Sequence, residues 1–217
     1  MSKEWTYGGF DEKYDMTGEI HVGTGILKVH DIFNKMPDFM YQADILFVDP
    51  PGGGGCLGTY YTKAGIEKKA RPYEKFTEFE KRLFDVIAEI NPKIVVIELF
   101  NNIKASFEKH LCETYKYVQI ANSTFYHNQN CVCYIAVASN EPIPDKFQEI
   151  EGMDEEDVIE FICKNIDFEC IADPCMGQGL VAYFANKYSK KFVGTELNKK
   201  RLAVCVERVT TGKKKVM

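Results

Sequence analysis

The order of apolar and polar positions predicts alternating strands and helices along most of the chain. Residues 43–51 and 93–100 contain continuous apolar runs of strand length, of the kind that is buried on both faces of a parallel sheet. Between them, residues 73–90 repeat apolar side chains at helical spacing and stop before Pro92, which disfavours helix in the preceding residue. This alternation is typical of an α/β domain with a mostly parallel sheet.

The remaining elements follow from the same pattern. Residues 117–126 and 130–139 are successive strand-like runs joined by a turn, so they predict an antiparallel pair at one edge of the sheet. Residues 140–152 are polar and contain prolines, which predicts a connector. Further strands are expected at 25–33, 169–174 and 191–197, and further helices at 105–113, 154–166, 180–189 and 198–209.

Composition adds limits on size, charge and compartment. The 217 residues with 45% hydrophobic content suit one sizeable core, so residues 1–217 are predicted to form a single domain with an N-terminal extension at 1–24. The net charge of -5 gives no broad attraction to nucleic acid. The eight cysteines lack framework spacing, and no signal peptide or long apolar span precedes them, which predicts a reducing, cytoplasmic location without membrane contact.

One group of metal-binding residue types occurs in the second half of the chain. Cys131 and Cys133 lie close in sequence to His127. The two cysteines alternate as same-face residues of a strand do, and no second pair of ligands accompanies them. No metal site is therefore predicted.

A glycine turn between two strands predicts a nucleoside site. A strand ends at Asp173, a turn carries Gly177 and Gly179, a helix follows, and the next strand ends at Glu196. Glycines let the backbone approach a ligand, and an acidic residue at the next strand end can accept hydrogen bonds from ribose hydroxyls. A NAD fingerprint has a third glycine where this chain has Ala182, so the shorter turn favours S-adenosylmethionine and methyl transfer.

A second motif, Asp-Pro-Pro-Gly at 49–52, ends the strand-like run 43–51. Together with Asp-Pro-Cys-Met-Gly-Gln-Gly at 173–179, it resembles the paired signature of the S-adenosylmethionine-dependent amino-methyltransferases, which modify adenine N6 or cytosine N4 in DNA. That family combines an Asp-Pro-Pro-aromatic tetrapeptide with a D-P-F-x-G-x-G turn. The catalytic motif comes first here, which resembles the circularly permuted, beta-type branch.

The resemblance covers residues 25–209 and implies a Rossmann-like methyltransferase fold. It implies that the cofactor is bound by Asp31, Asp173, Cys175, Gly177, Gly179 and Glu196, with Asp31 near the adenine. It implies catalytic roles for Asp49, Pro50 and Pro51, and substrate binding near Gly52, Tyr60 and Tyr61. The implied partner is DNA or another nucleic acid, and the implied assembly is a homodimer or a complex with a recognition subunit.

Asp-Pro-Pro suits this chemistry because an aromatic amine is a poor nucleophile. The Asp49 carboxylate and the Pro50 carbonyl oxygen are two acceptors that can hold both N–H groups and favour a pyramidal nitrogen aimed at the sulfonium methyl. Prolines fix φ and stiffen the backbone that aims these acceptors. The step is an in-line displacement that depends on positioning and electrostatics, without a covalent enzyme intermediate.

The chain departs from the family pattern at three points. Gly52 replaces the aromatic residue that stacks on the extruded base, Cys175 replaces a phenylalanine, and no insertion is large enough for a separate target-recognition domain. Stacking is worth about 1–3 kcal/mol per base, so its loss predicts a cost of about tenfold to a hundredfold. Tyr60 or Tyr61 folding back over Gly52 is one substitute, and ordinary loop or helix-start aromatics are the other interpretation.

Four glycines at 52–55 predict a loop that is mobile without substrate, because glycine loses the most backbone freedom on folding. No Gly-Lys-Ser/Thr follows, so a phosphate-binding loop is not favoured. Two functions stay open: an active amino-methyltransferase, with adenine N6 favoured over cytosine N4, and a cofactor-binding subunit or regulator that has lost efficient methylation. Methylation of RNA, protein or a small molecule is a third class.

Overall fold

A computed structural model describes residues 7–72, 75–125 and 128–216. Its eight strands are β1 (Glu19–Val22), β2 (Gly25–Val29), β3 (Ile45–Val48), β4 (Ile94–Phe100), β5 (Tyr117–Phe125), β6 (Asn128–Ser139), β7 (Cys170–Asp173) and β8 (Lys191–Glu196). Its α-helices are α1 (Gly54–Lys63), α2 (Phe76–Ile90), α3 (Asn101–Thr114), α4 (Glu155–Asn165), α5 (Leu180–Lys187) and α6 (Lys199–Thr211). Strands and helices alternate through most of the chain, as the apolar pattern predicts.

The sheet is parallel at its centre and antiparallel at both edges. Its order is β1-β2-β8-β7-β3-β4-β6-β5, and the neighbours from β2 to β4 are parallel. β1 pairs antiparallel with β2, and β6 pairs antiparallel with both β4 and β5. The predicted α/β class, the mostly parallel sheet and the antiparallel edge pair are therefore confirmed.

Two hydrophobic clusters cover the two faces of this sheet. Helices α4, α5 and α6 pack into one cluster, and α1, α2 and α3 pack into the other. Within β7, Ile171 belongs to the first cluster and Ala172 to the second, because successive side chains of a strand face opposite sides. In the described part of the chain, no helix combines the length and the apolar character that crossing a bilayer requires.

Three segments differ from the sequence-based expectation. The glycine segment, expected to be a mobile loop, enters α1, in which Leu57 and Tyr61 are buried. The predicted connector contains a 3-10 helix, Asp145–Ile150, with two buried side chains. Part of the predicted N-terminal extension pairs with β2 as strand β1. Burial and strand pairing are tertiary effects, and here they outweigh weak local propensity.

Candidate active site

Four acidic side chains meet at one edge of the sheet. Asp49 follows β3, Glu98 lies near the end of β4, and Asp173 and Glu196 end β7 and β8. Strands β8, β7, β3 and β4 are consecutive and parallel, so their carboxyl ends lie side by side. In open parallel sheets, the crevice outside these ends is where ligands bind.

A cavity of about 480 Å³ opens at this edge, and both sequence motifs line it. Its volume is within the range of about 300–1,000 Å³ that is usual for small-molecule sites. Of the residues predicted from sequence, those lining the cavity are Asp31, Asp49, Pro51, Tyr60, Tyr61, Asp173, Cys175, Gly177, Gly179 and Glu196. Pro50 and Gly52 lie outside its lining.

The glycine turn is held by the acidic residues that flank it. The Gly177 N–H donates to Glu196 Oε2 at 2.7 Å, and the Cys175 N–H donates to Asp173 Oδ1 at 2.8 Å. Gly179 has a φ of 81°, which is in the left-handed region that favours glycine. A Cβ there would lie 2.2 Å from Cys205 Sγ, so the missing side chain also lets α6 pack against the turn.

Burial has the largest effect on the pKa values of Asp173 and Cys175 in this turn. It raises the pKa of Asp173 well above its ordinary value, although the Cys175 N–H acts in the opposite direction. Burial also raises the pKa of the Cys175 thiol well above its usual value. A buried, protonated thiol is a poor nucleophile, so Cys175 is not prepared for covalent chemistry.

Asp31 follows β2 and accepts hydrogen bonds from two elements. The Phe33 N–H donates to its Oδ1 at 3.1 Å, and the Tyr61 hydroxyl lies 3.3 Å from both carboxylate oxygens. In the same C-terminal turn of α1, the Asn198 side chain donates to the Lys63 carbonyl oxygen at 3.1 Å. The C-terminal end of α1 is therefore attached to the part of the site that carries the predicted cofactor residues.

Asp49 belongs to a cluster of carboxyl groups. Asp49, Glu98 and Glu155 each place an oxygen within 4.8 Å of the other two. Burial raises the pKa of all three, and the charge of Asp49 raises those of Glu98 and Glu155 further. The guanidinium of Arg201 opposes the rise for Asp49. Asp49 is therefore the first of the three to ionise, while Glu98 and Glu155 hold their protons to higher pH.

The two cysteines considered as metal ligands differ in burial. Cys133 is buried and its Sγ donates to Glu98 Oε1 at 3.2 Å, whereas Cys131 is exposed. The third residue of that group, His127, lies outside the described residues. Cys133 therefore belongs with the carboxyl cluster rather than with Cys131.

Arg201 is a cation facing this acidic edge. Its guanidinium carbon lies 5.0 Å from the centre of the Tyr60 ring, and a Cβ at Gly177 would lie 2.7 Å from its Nη2. Burial alone would lower the pKa of Arg201, but nearby acidic groups, Glu196 foremost, raise it overall, so the guanidinium stays charged. Tyr60 thus packs with Arg201 on the side of the glycine turn.

The acceptor motif, Asp-Pro-Pro-Gly at 49–52, is held in place by hydrogen bonds to its backbone carbonyl groups. Gly53 has a φ of 131°, and its N–H donates to the Pro51 carbonyl oxygen at 2.7 Å. The side-chain amide of Asn102, in the first turn of α3, donates to the Gly52 carbonyl oxygen. The segment after Asp-Pro-Pro is therefore attached to the junction between β4 and α3.

An aromatic ring does lie against Gly52, and it comes from another element. A Cβ at Gly52 would lie 3.2 Å from Phe100 Cδ2, and the three atoms nearest to that position all belong to Phe100. The ring of Tyr60 faces Arg201, and the hydroxyl of Tyr61 faces Asp31. Phe100, rather than either tyrosine, therefore occupies the space beside Gly52.

The residues of this site that the sequence prediction does not name include Glu98, Phe100, Glu155 and Arg201. Glu98 carries a detectable signal, because a single glutamate interrupts the apolar run 93–100 and a buried glutamate is rare unless paired. The other three look like an ordinary strand end, an acidic helix start and a basic helix start. Only the tertiary structure brings Glu155 and Arg201 to the cavity and Phe100 to Gly52.

The sheet order and the layers of helices define a Rossmann-like methyltransferase fold. M1.HpyAVI, solved in complex with S-adenosylmethionine, is similar over 84% of this chain and 98% of its own, with 15% identity and a TM-score of 0.53. TTHA0409 from Thermus thermophilus, a candidate DNA modification methylase also complexed with S-adenosylmethionine, is similar over 86% and 93%, with 12% identity and a TM-score of 0.59. The cytosine-N4-specific PvuII DNA methyltransferase is similar over 88% and 94%, with 7% identity and a TM-score of 0.55.

These likenesses define the fold, which can host many functions. No protein-family model and no curated protein matches the chain. Function must therefore be argued from the site.

Proposed function

We propose that the protein transfers a methyl group from S-adenosylmethionine to an exocyclic amine of a DNA base, with adenine N6 as the first candidate and cytosine N4 as the second. One observation carries this proposal: a single cavity is lined by Asp49 and Pro51 of the acceptor motif and by the cofactor turn at 173–179. A methyl donor in the turn and an amine at Asp49 would share one cavity. Such proximity is what a direct displacement needs.

The hydrogen bonding of the turn favours S-adenosylmethionine over a dinucleotide cofactor. The Gly177 and Cys175 amides already donate to the Glu196 and Asp173 side chains, so they do not form a site for pyrophosphate. S-adenosylmethionine carries a sulfonium and an ammonium group, which suit a cavity rich in carboxyl groups. In this proposal, Glu196 accepts hydrogen bonds from the ribose hydroxyls and Asp31 lies near the adenine.

The residues of the chain position the acceptor amine. When bound, S-adenosylmethionine would supply an electrophilic methyl group, with the neutral thioether of S-adenosylhomocysteine as the leaving group. The Asp49 carboxylate and the Pro50 carbonyl oxygen accept the two N–H groups, so that the nitrogen lone pair is free to form the new N–C bond. The nitrogen then loses one proton, and Asp49, the first member of the buried cluster to ionise, is the carboxylate that receives it.

The names of the structural neighbours support DNA as the substrate class. Two were solved with S-adenosylmethionine, and a third is a cytosine-N4-specific DNA methyltransferase. Adenine and cytosine both present an exocyclic amine, so Asp-Pro-Pro can serve either base. We further propose that one domain, 1–217, carries both motifs and that a second copy or a separate subunit contributes to target recognition.

A cofactor-binding subunit without catalysis is the second candidate. Gly52 favours it, because the residue after Asp-Pro-Pro has no aromatic side chain to hold an extruded base. The two candidates share cofactor binding and differ in whether any base is methylated.

The proposal predicts that the purified protein transfers labelled methyl groups to DNA and that Asp49→Asn lowers the initial rate by about 100-fold or more. Loss of a charged acceptor aimed at the reacting group typically has an effect of this size. The affinity for S-adenosylmethionine, measured by calorimetry, should change little, because the cofactor residues remain. Mass spectrometry of the digested DNA identifies N6-methyladenine or N4-methylcytosine.

Asp38→Asn is the matched control, since Asp38 is an exposed aspartate that does not line the cavity. Label that survives Asp49→Asn would remove Asp49 from its role. Tight cofactor binding by a wild-type protein that methylates no base would favour the second candidate.

A further inference from the structure

Gly52 is a glycine for reasons of space rather than backbone geometry. Gly53 has a positive φ, but Gly52 does not, so its backbone would accept a side chain. Its Cβ would lie 3.2, 3.5 and 3.8 Å from Phe100 Cδ2, Cγ and Cβ. The closest of these distances is shorter than the optimal carbon–carbon separation of about 3.5–4.0 Å. The Phe100 ring therefore fills the volume into which a side chain at position 52 would extend.

Phe100 reaches this volume from the neighbouring strand. β3 and β4 are parallel, with Val48 opposite Ile97, so the end of β4 runs alongside Asp49 and the residues after it. Phe100 is the last residue of β4, where the strand passes into α3. Its ring therefore lies beside the residue that directly follows Asp49-Pro50-Pro51.

The ring is held in place and keeps an accessible part. Phe100 is half-buried and packs against the hydrophobic cluster supplied by α1, α2 and α3. Two residues later, Asn102 donates its side-chain amide to the Gly52 carbonyl oxygen. The β4–α3 junction and Gly52 therefore form one packed unit, with an aromatic ring placed beside Asp-Pro-Pro.

We propose that Phe100 supplies the stacking surface for the acceptor base that Gly52 lacks. This inference rests on the proposed function and names a positioning residue of the same site. An aromatic ring can stack on the π-face of any base, whichever element of the chain carries it. In this proposal, the stacking ring comes from the end of the adjacent strand β4 rather than from the acceptor motif.

Phe100→Leu tests stacking separately from packing, because leucine keeps apolar volume but has no ring. We expect kcat/KM for DNA to fall about fivefold to a hundredfold, in the range that base–aromatic stacking supports. Phe100→Tyr, which keeps the ring, should stay within about threefold of wild type. The affinity for S-adenosylmethionine should be unchanged in both variants.

Phe39→Leu is the matched control. Phe39 is also half-buried against the same hydrophobic cluster, but it precedes β3, whereas Asp49 follows it. A purely structural role for Phe100 predicts equal effects of the two leucine substitutions. Equal kcat/KM values for Phe100→Leu and Phe39→Leu would overturn the inference and leave methyl transfer intact.

An exchange of the two positions gives a second test. Gly52→Phe alone should lower activity, because its Cβ meets the Phe100 ring at 3.2 Å. The double variant Gly52→Phe with Phe100→Gly should regain activity over the single variant, since it restores one ring in one space. A double variant less active than both single variants would count against a shared role.

A fluorescence measurement decides the question without methylation. In a Trp5→Phe background, which removes the only tryptophan, Phe100→Trp places one fluorescent reporter at the proposed stacking surface. With S-adenosylhomocysteine bound, a short single strand with one adenine should quench it more than the same strand with an abasic site. Equal quenching by both strands would overturn the inference even in an active enzyme, whereas selective quenching in an inactive protein would support it and contradict only catalysis.

Discussion

Asp49 lies among acids that burial keeps protonated, and this arrangement decides which group can act as the acceptor. Glu98 is fully buried, and Glu155 lies close to both Asp49 and Glu98. The charge of Asp49 makes ionisation of these two neighbours harder, while Arg201 favours ionisation of Asp49 itself. Asp49 is thus the one ionised carboxylate in a group of neutral carboxylic acids. The proposed hydrogen bonds from the acceptor amine require this state of Asp49.

We expect Glu98→Gln to stabilise the protein increasingly as the pH rises. Burial, and then the charge of Asp49, raises the pKa of Glu98 from 4.5 to about 8 in the folded protein. Between these values the folded chain keeps a proton that the unfolded chain releases, so wild-type stability falls as the pH rises. Glutamine has no such proton to lose. The free energy of unfolding of Glu98→Gln, relative to wild type, should therefore rise by at least about 1.4 kcal/mol, which corresponds to one pKa unit, between about pH 5 and about pH 9.

Urea unfolding at each pH measures this difference. Glu149→Gln, at an exposed glutamate, is the control and should show no growing advantage. An advantage of Glu98→Gln that does not change with pH would mean that Glu98 ionises in the folded protein as it does in the unfolded chain.

At the scale of elements, glycines have opposite effects on two helices of the site. Helix α1 begins at Gly54 although glycine is a poor helix former, because Leu57 and Tyr61 are buried and the helix is tied to Asp31 and Asn198. Helix α6 approaches the cofactor turn because Gly179 has no side chain. One helix thus forms despite its glycines, and the other packs because of one.

We expect Gly179→Ala to destabilise the protein by about 2–5 kcal/mol. A left-handed backbone costs a non-glycine residue about 1–2 kcal/mol, and overpacking adds about 1–3 kcal/mol. The second part arises because the new Cβ would lie 2.2 Å from Cys205 Sγ. Gly65→Ala separates the two parts, since Gly65 has a φ of 78° but a Cβ there meets no atom within 4 Å.

Urea unfolding of both variants gives the comparison. The loss for Gly65→Ala should be limited to the backbone cost, and the excess for Gly179→Ala measures the packing of α6. Equal losses would show that α6 moves aside without cost.

At the scale of the whole molecule, the sheet brings distant parts of the sequence to one edge. β7 lies between β8 and β3, so Asp173 is next to Glu196 on one side and next to the strand before Asp49 on the other. Helices on both faces leave the carboxyl edge open as the cavity. Ligand binding there contacts elements from both halves of the chain, so it should stabilise the fold as a unit.

We expect S-adenosylmethionine at about 100 times its Kd to raise the midpoint of thermal unfolding by about 5–10 °C. Binding to the folded state alone adds about 2.7 kcal/mol at that ratio, and each kcal/mol shifts Tm by about 2–4 °C at this chain length. Glu196→Gln should lose most of the shift, because it weakens the proposed ribose contact. Glu160→Gln, which alters a surface pair with Lys187, should keep it.

Differential scanning fluorimetry with and without the cofactor records the shift for each variant. A wild-type midpoint that does not move would contradict the cofactor proposal. A full shift in Glu196→Gln would remove that residue from the cofactor site.

Local signals in the sequence were enough for the class of fold and for the two motifs. Apolar runs and helical spacing mark most strands and helices, and Pro92 marks the end of α2. Asp173, Glu196 and the glycines between them can be identified because strand end, turn and helix follow one another directly in the chain. Such features depend on neighbours in sequence, so the sequence by itself determined them.

Only the tertiary structure decided which strands are neighbours and therefore what surrounds Asp49. The burial of Glu98, its nearness to Glu155 and the position of Phe100 against Gly52 all join residues that are far apart in sequence. The glycine segment 52–55 shows the same limit of sequence-based prediction. The backbone entropy of its glycines predicts a loop, whereas the burial of Leu57 and Tyr61 stabilises α1 from Gly54 onward. In the sequence, Gly52 indicates only that the aromatic residue after Asp-Pro-Pro is missing. In the structure, Gly52 makes room for the Phe100 ring, because packing depends on contacts across the sheet rather than along the chain.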